Sequence, residues 1–143
     1  MNEYKKTDIE ISQYTEEGYK ALVDYDRWRV AVLNYIDELE PENIDNVQKH
    51  DETDEVFVLL EGNCILITAT KTEDSFEFNT YNMEPLKLYN IKKGIYHTHT
   101  LSKDGKVLIV ENRNTTDENS PKIILNKEER HKLARKIWQI SNF

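Results

Sequence analysis

A single cysteine, Cys64, is present in the chain, so no disulfide bond can form within it. This cysteine stands in an apolar segment and is predicted to be a small buried side chain. No apolar run approaches the roughly 20 residues of a membrane-spanning helix. The polar first ten residues lack the apolar core of a secretory signal. We therefore predict a soluble cytoplasmic protein that has no membrane partner.

Basic charge is also scarce, with 19 Lys and Arg against 27 Asp and Glu, a net charge of −8. No stretch combines clustered Lys and Arg with aromatic residues, and an acidic surface repels phosphate backbones, so nucleic-acid binding is disfavoured. The sequence contains no glycine-rich phosphate loop and no Gly-any-Ser-any-Gly turn. No regular loop of oxygen ligands suggests calcium.

The length and composition fit one folded domain. The chain has 143 residues, of which 38% are hydrophobic and 10% aromatic, enough for a core despite 32% charged residues. We assign residues 1–18 to an N-terminal polar segment and residues 19–143 to a single domain.

Short β-prone segments separated by turn residues recur through most of the chain. They are predicted strands at residues 20–23, 28–35, 46–50, 55–60, 64–70, 76–81, 86–91, 95–100 and 106–111. Turns are predicted at residues 61–63, 71–75, 103–105 and 112–120. Many short strands at regular spacing are typical of an all-β sandwich or barrel. Segments 28–35 and 55–60 are apolar at both alternating positions, which predicts burial on both faces and favours a homodimer.

The C-terminal region has helical periodicity. Asn126 and Glu129 have the spacing of a capping box, which marks a helix start. Apolar residues then recur at helical spacing, namely Leu133, Ala134, Ile137 and Trp138. We predict one amphipathic helix over about residues 127–140 that packs on the sheet, with His131 on its polar face. A helix that binds a partner is the alternative.

Three other histidines and a glutamate form a candidate site. His97 and His99 lie two apart on one predicted strand, so their side chains share a face. His50 ends a strand, and Glu55 opens the next one after an acidic turn. If these faces look inward, His50, Glu55 and His97 can converge. Two imidazoles and one carboxylate suit a divalent zinc, iron, manganese or nickel ion.

The spacing around His50 resembles the first motif of the cupin superfamily. That motif is His-any-His, three or four residues, Glu, six residues and Gly. The positions of His50, Glu55 and Gly62 match it, whereas Gln48 stands at the first histidine.

A second segment resembles the other cupin motif, which is Pro-any-Gly, two residues, His, and Asn four positions later. Gly94 and His97 match its centre, while Lys92 and Leu101 replace the proline and the asparagine. The resemblance implies a cupin-type double-stranded β-helix, or jelly roll, with the C-terminal helix added.

The resemblance also implies a metal inside the barrel, held by His50, Glu55 and His97. Gln48 would be a weaker ligand because its amide oxygen is neutral. His99 could supply the missing nitrogen, or act as a general acid or base beside the metal. Alternatively, these side chains form a hydrogen-bonded polar core.

Three functions therefore remain open. The first is a metal-dependent enzyme, an isomerase or a dioxygenase, that acts on a small polar metabolite. The second is a cupin that binds a small molecule without catalysis. The third is a structural or dimerisation module with a vestigial metal site. The fold alone does not choose among them.

Overall fold

The computed structural model describes residues 8–141 and 143, so the first seven residues of the predicted polar segment lie outside the described residues. The described chain forms ten strands and one α-helix. The strands are β1 Gly18–Tyr25, β2 Trp28–Asn34, β3 Asn46–Gln48, β4 Glu55–Glu61, β5 Cys64–Lys71, β6 Phe76–Asn82, β7 Tyr89–Ile91, β8 Tyr96–Leu101, β9 Lys106–Asn112 and β10 Lys122–Ile124, and the helix is α1 Lys127–Ile140. Short 3₁₀ turns lie at Asp37–Leu39, Pro41–Asn43 and Asp117–Asn119.

The strands form two antiparallel sheets of five strands each. The first has the order β1-β2-β9-β4-β7, and the second has the order β10-β3-β8-β5-β6. Strand β9 pairs with both β2 and β4, far away in sequence, and β8 pairs with β3 and β5. Such long-range antiparallel pairing in two sheets is the arrangement of a jelly roll. The all-β prediction is confirmed.

An apolar core fills part of the space between the sheets. Phe57 and Leu59 of β4 are almost fully buried there, beside Cys64 of β5. Burial raises the pKa of the Cys64 thiol, which agrees with its predicted role as a buried apolar side chain. Val56 and Val58 point to the opposite face of the first sheet and are only partly exposed. The predicted burial on both faces is therefore complete on the inner face and partial on the outer one.

Helix α1 covers the outer face of the second sheet, as the sequence predicts. Leu133 and Ile137 are fully buried in a cluster with residues of that sheet. The capping box is present: the Asn126 side chain accepts from the Glu129 N–H (2.8 Å), and the Glu129 carboxylate accepts from the Asn126 N–H (2.9 Å). His131 is exposed on the polar face.

Two strand predictions differ from the structure. The predicted strand 86–91 begins only at Tyr89, because Leu86 has a positive φ of 68° that an extended strand cannot contain. Strand β10 lies in a segment where no strand is predicted. It has three residues, too few to show an alternating pattern. No helix among the described residues is long and apolar enough to cross a membrane.

Gly62 is the last residue of the first cupin-like motif, and its substitution tests how closely the backbone packs there. Its φ is +66°, and an added Cβ would meet backbone atoms of Asp104 at 2.8 Å. Gly94 has a similar φ of +80°, but nothing lies within 4 Å of an added Cβ. We expect Gly94→Ala to lower the free energy of unfolding by about 1–2 kcal/mol, the cost of a left-handed backbone. We expect Gly62→Ala to cost about 1–3 kcal/mol more through steric overlap.

Chemical denaturation of both variants measures this difference in the free energy of unfolding. Gly94→Ala is the matched control, because it has the cost of the left-handed backbone without the steric overlap. Equal losses of stability in the two variants would show that the Gly62–Asp104 contact relaxes without cost.

Candidate metal centre

The predicted site residues come from facing sheets and meet in the interior. Gln48 and His97 are paired neighbours on β3 and β8 of the second sheet, and His50 follows β3. Glu55 opens β4 of the first sheet. His50, Glu55 and His97 each offer one ligand atom that lies within 4.8 Å of the other two. A buried group with this composition could bind a metal ion.

One oxygen of Glu55 is the centre of this group. Its Oε1 lies 2.9 Å from Nε2 of His97 and 3.2 Å from Nε2 of His50. The side chains of His97, Glu55 and His50 are only 6%, 8% and 11% exposed. The two Nε2 atoms therefore converge on a single carboxylate oxygen in a nearly dry environment.

The other ring nitrogen of His97 is held by the backbone. Its Nδ1 lies 3.0 Å from the carbonyl oxygen of Ile95, which can only accept a hydrogen bond. Nδ1 therefore carries a proton. In a neutral ring, Nε2 then has its lone pair free towards Glu55.

A loop that the sequence predicts only as a turn holds His50 in the same way. Nδ1 of His50 lies 2.7 Å from Oγ of Ser120, and this hydroxyl donates to Oδ1 of Asn119 at 3.2 Å. The Asn119 amide is oriented by its Nδ2, which donates to the carbonyl oxygen of Asn114 at 3.0 Å. When the Ser120 hydroxyl donates to Asn119, Oγ accepts from Nδ1–H of His50, and the lone pair of Nε2 faces Glu55.

The contact between His97 and Glu55 requires a proton or a cation between ring and carboxylate, because a lone pair of Nε2 cannot bond to a carboxylate oxygen. Burial alone would lower the pKa of His50, but its hydrogen bond with Glu55 and the charge of Glu55 outweigh this and raise the pKa. Burial would raise the pKa of Glu55, but the hydrogen bonds from His50 and His97 hold it well below its usual range. A proton or a metal cation can supply the charge.

Glu111 of β9 is a second buried carboxyl group beside the site, and sequence reasoning missed it. Its Oε2 accepts from the Tyr19 hydroxyl at 2.7 Å and from Nη2 and Nε of Arg29 at 2.8 and 3.2 Å. Burial and the charge of Glu55 raise the pKa of Glu111. A signal was present in the sequence: Glu111 follows Val107 and Ile109 at alternating positions, so it falls on the buried face of a strand.

Gln48 borders the same space, as predicted. Its amide nitrogen donates to the backbone carbonyl oxygen of Ser120 at 3.0 Å. This bond commits the nitrogen and leaves the amide oxygen as the atom that could ligate a metal.

His99 also faces the interior, two residues further along β8 than His97. Its ring packs on Phe57 with 5.5 Å between centroids. Burial lowers the pKa of His99 to about 4, so the ring is neutral at neutral pH. Its Nδ1 is buried and has no hydrogen-bond partner in the described part of the chain. His99 is not one of the three mutually close ligand residues.

A cavity of about 330 Å³ joins these groups. It contains the site residues, the apolar side chains of Leu33 and Ile109, and part of the loop from Thr115 to Ser120. This volume is at the lower end of the range of small-molecule sites.

Neither a protein-family model nor a curated protein matches the sequence. Solved structures do match the fold. A cupin-2 domain containing protein from Shewanella frigidimarina is 18% identical, with a TM-score of 0.50 over 70% of this chain and 85% of that chain. A single-residue variant of Streptomyces PAC13 with uridine is 10% identical, with a TM-score of 0.56 over 90% and 98% of the two chains. A further structure of Pac13, described as a unique nucleoside dehydratase, is 6% identical, with a TM-score of 0.56 over 82% and 89%.

Identities this low establish a shared architecture and not a shared substrate. The architecture agrees with the sequence on three points: the two antiparallel sheets, the C-terminal helix, and motif residues from both sheets that meet between them. The chain therefore has the cupin fold.

Proposed function

We propose that the protein binds one divalent transition-metal ion through His50, Glu55 and His97. The observation that carries this proposal is that both Nδ1 atoms have hydrogen-bond partners away from the site, the carbonyl oxygen of Ile95, which can only accept, and the hydroxyl of Ser120. Metal-binding histidines typically donate their second nitrogen in this way, which fixes the tautomer and the ring orientation. The set of two imidazoles and one carboxylate suits zinc, iron, manganese or nickel.

A polar core without metal is the alternative for the same residues. It would hold its charge balance by keeping a proton on an imidazole, which the hydrogen bond with Glu55 and the charge of Glu55 favour at His50. A divalent cation can replace this proton and interact with both Nε2 atoms and the carboxylate together. Gln48 adds a neutral amide oxygen at the same place, which can complete the ligand set weakly.

Of the two candidate enzymatic activities, we favour isomerisation of a small polar metabolite over its oxidation by a dioxygenase. A bound ion at this position would polarise a carbonyl group of the substrate. His99 lines the same cavity, and its neutral ring can accept a proton from a bound ligand. The cavity of about 330 Å³ limits the ligand to a small molecule.

Binding of a small molecule without catalysis is the second candidate. Gln48 favours it, because a neutral amide in place of an imidazole weakens the ligand set that the cupin motif implies. The same cavity would then hold a metabolite by hydrogen bonds alone.

We also propose that two copies of the chain associate through the outer face of the first sheet. Cross-strand neighbours on β2, β9 and β4 form two apolar rows, which are Val30–Val110–Val56 and Val32–Leu108–Val58. Val32 is only 8% exposed, and the other residues of these rows are partly exposed. Within the described residues, helix α1 packs on the other sheet and so does not cover the rows. A second copy fits because a two-fold axis places the same apolar rows against themselves, with Lys20 of β1 at their edge beside Val32, whereas the rest of a chain of net charge −8 repels its copy.

Metal content tests the site directly. We expect elemental mass spectrometry of protein purified without a histidine tag to give about one metal ion per chain. His50→Ala should abolish this binding. Ser120→Ala should weaken metal affinity by about 10-fold to 100-fold, because it removes only the acceptor that orients His50.

His131→Ala is the matched control, since it removes an exposed histidine from the helix. Wild-type protein that stays metal-free after addition of zinc, iron, manganese and nickel would refute the metal site.

Proton exchange tests the enzymatic form. We expect metal-loaded protein to incorporate deuterium from D₂O next to the carbonyl group of a small hydroxycarbonyl substrate, as measured by NMR. His99→Ala should slow the exchange while metal content stays unchanged, because His99 is not a member of the mutually close ligand group. A ligand-dependent rise in melting temperature without exchange would instead support the non-catalytic binder.

The oligomeric state tests the proposed interface. We expect light scattering to give a dimer for the wild type and a monomer for Val58→Glu, which places a buried charge against its own copy. Ile124→Glu changes another exposed apolar residue, 69% exposed on β10, and should remain dimeric. A monomeric wild type at all concentrations would contradict the interface.

A further inference from the structure

The two carboxyl oxygens of Glu111 have different hydrogen-bond partners. Oε2 takes all three hydrogen bonds from Tyr19 and Arg29, which fix the carboxyl group from one side. Oε1 is turned towards the predicted ligands and lies 4.0 Å from Nε2 of His50. The side chain is only 3% exposed, so bulk water is largely kept from this oxygen.

Oε1 of Glu111 and Oε1 of Glu55 both face Nε2 of His50, at 4.0 and 3.2 Å. Two ionised carboxyl groups that lie close together inside a protein repel each other, and burial together with the charge of Glu55 raises the pKa of Glu111 accordingly. A proton or a cation between them would remove that cost. The Nε2 atom that both carboxyl groups face belongs to a predicted ligand, so the proposed ion would bind in the same place.

The spacing agrees with a shared ion at one of the three predicted ligands, His50. Glu111 is not a member of the group whose ligand atoms all lie within 4.8 Å of one another, so its carboxyl group would have to shift towards His97 when an ion binds. Two ligand atoms that each lie about 2.1 Å from one ion can be at most about 4.2 Å apart. Oε1 of Glu111 and Nε2 of His50 meet this limit in the structure at 4.0 Å. Arg29 offsets the charge of Glu111, so the added carboxylate does not make the cavity more negative.

We propose that Glu111 is a further protein ligand of the metal ion, and that it takes the place of the imidazole that the cupin motif has where this chain has Gln48. This inference rests on the proposed metal site at His50, Glu55 and His97. It makes the site one of two histidines and two carboxylates, a harder ligand set than three histidines and one glutamate. Harder oxygen-rich sets suit manganese and iron better than thiolate-preferring ions.

Cobalt binding followed by visible absorption tests the ligand role, because the spectrum depends on which groups coordinate the ion. We expect Glu111→Gln to raise the dissociation constant for cobalt at least 10-fold and to change the spectrum. Tyr19→Phe is the control: it removes one hydrogen bond from Oε2 and keeps the carboxylate. It should preserve the spectrum of the wild type even if affinity falls.

An unchanged spectrum and unchanged affinity in Glu111→Gln, with cobalt bound by the wild type, would overturn the role of Glu111 and leave the proposed site intact. A wild type that binds no cobalt, zinc or manganese would overturn both. If Glu111→Gln does not fold, as judged by its melting curve, a crystal structure of the wild type loaded with cobalt decides. A Glu111 oxygen at about 2.0–2.2 Å from the ion supports the proposal, and one beyond about 3 Å refutes it.

Discussion

The site depends on one contact across the barrel: a single Glu55 oxygen, on the first sheet, faces the Nε2 atoms of His50 and His97 on the side of the second. In a nearly dry interior such a contact is strong when a cation or proton lies within it and unfavourable when none does. Apolar packing therefore joins the two sheets at one end of the interior, and the contact of Glu55 with the two imidazoles joins them at the other.

The remaining polar groups can be understood from this requirement. Backbone and loop acceptors at Ile95 and Ser120 fix the orientation of both imidazoles, so the rings present the same nitrogen to the centre. Arg29 and Tyr19 hold Glu111 from the far side. Each of these groups constrains a neighbour of the centre, which would limit how far the candidate ligand atoms move on binding of the proposed ion.

The sequence predicted the parts of the site that lie close together along the chain. His50, Glu55 and Gly62 have a fixed spacing around one turn, and helix α1 begins with a local capping box, so short-range patterns were sufficient. Glu111 and Ser120 reach the site only through pairing of β9 and folding of the loop after it. Their neighbours in space lie about 60 or more residues away in sequence, where spacing carries no information. The predicted strand at 86–91 was too long because a left-handed residue interrupts the apolar pattern.

The charge of the site is compatible with the proposed cation although this chain has Gln48 in place of a histidine. Three neutral histidines and one glutamate, the set that the motif implies, carry a net charge of −1. In this chain the glutamine removes an imidazole and no charge. Glu111 adds a negative charge that Arg29 cancels, so His50, Glu55, His97 and Glu111 together with Arg29 again carry −1. The electrostatic attraction for a divalent cation is thus retained while the donor atoms shift from nitrogen towards oxygen, and such a shift changes the preferred metal more than it changes whether a metal binds.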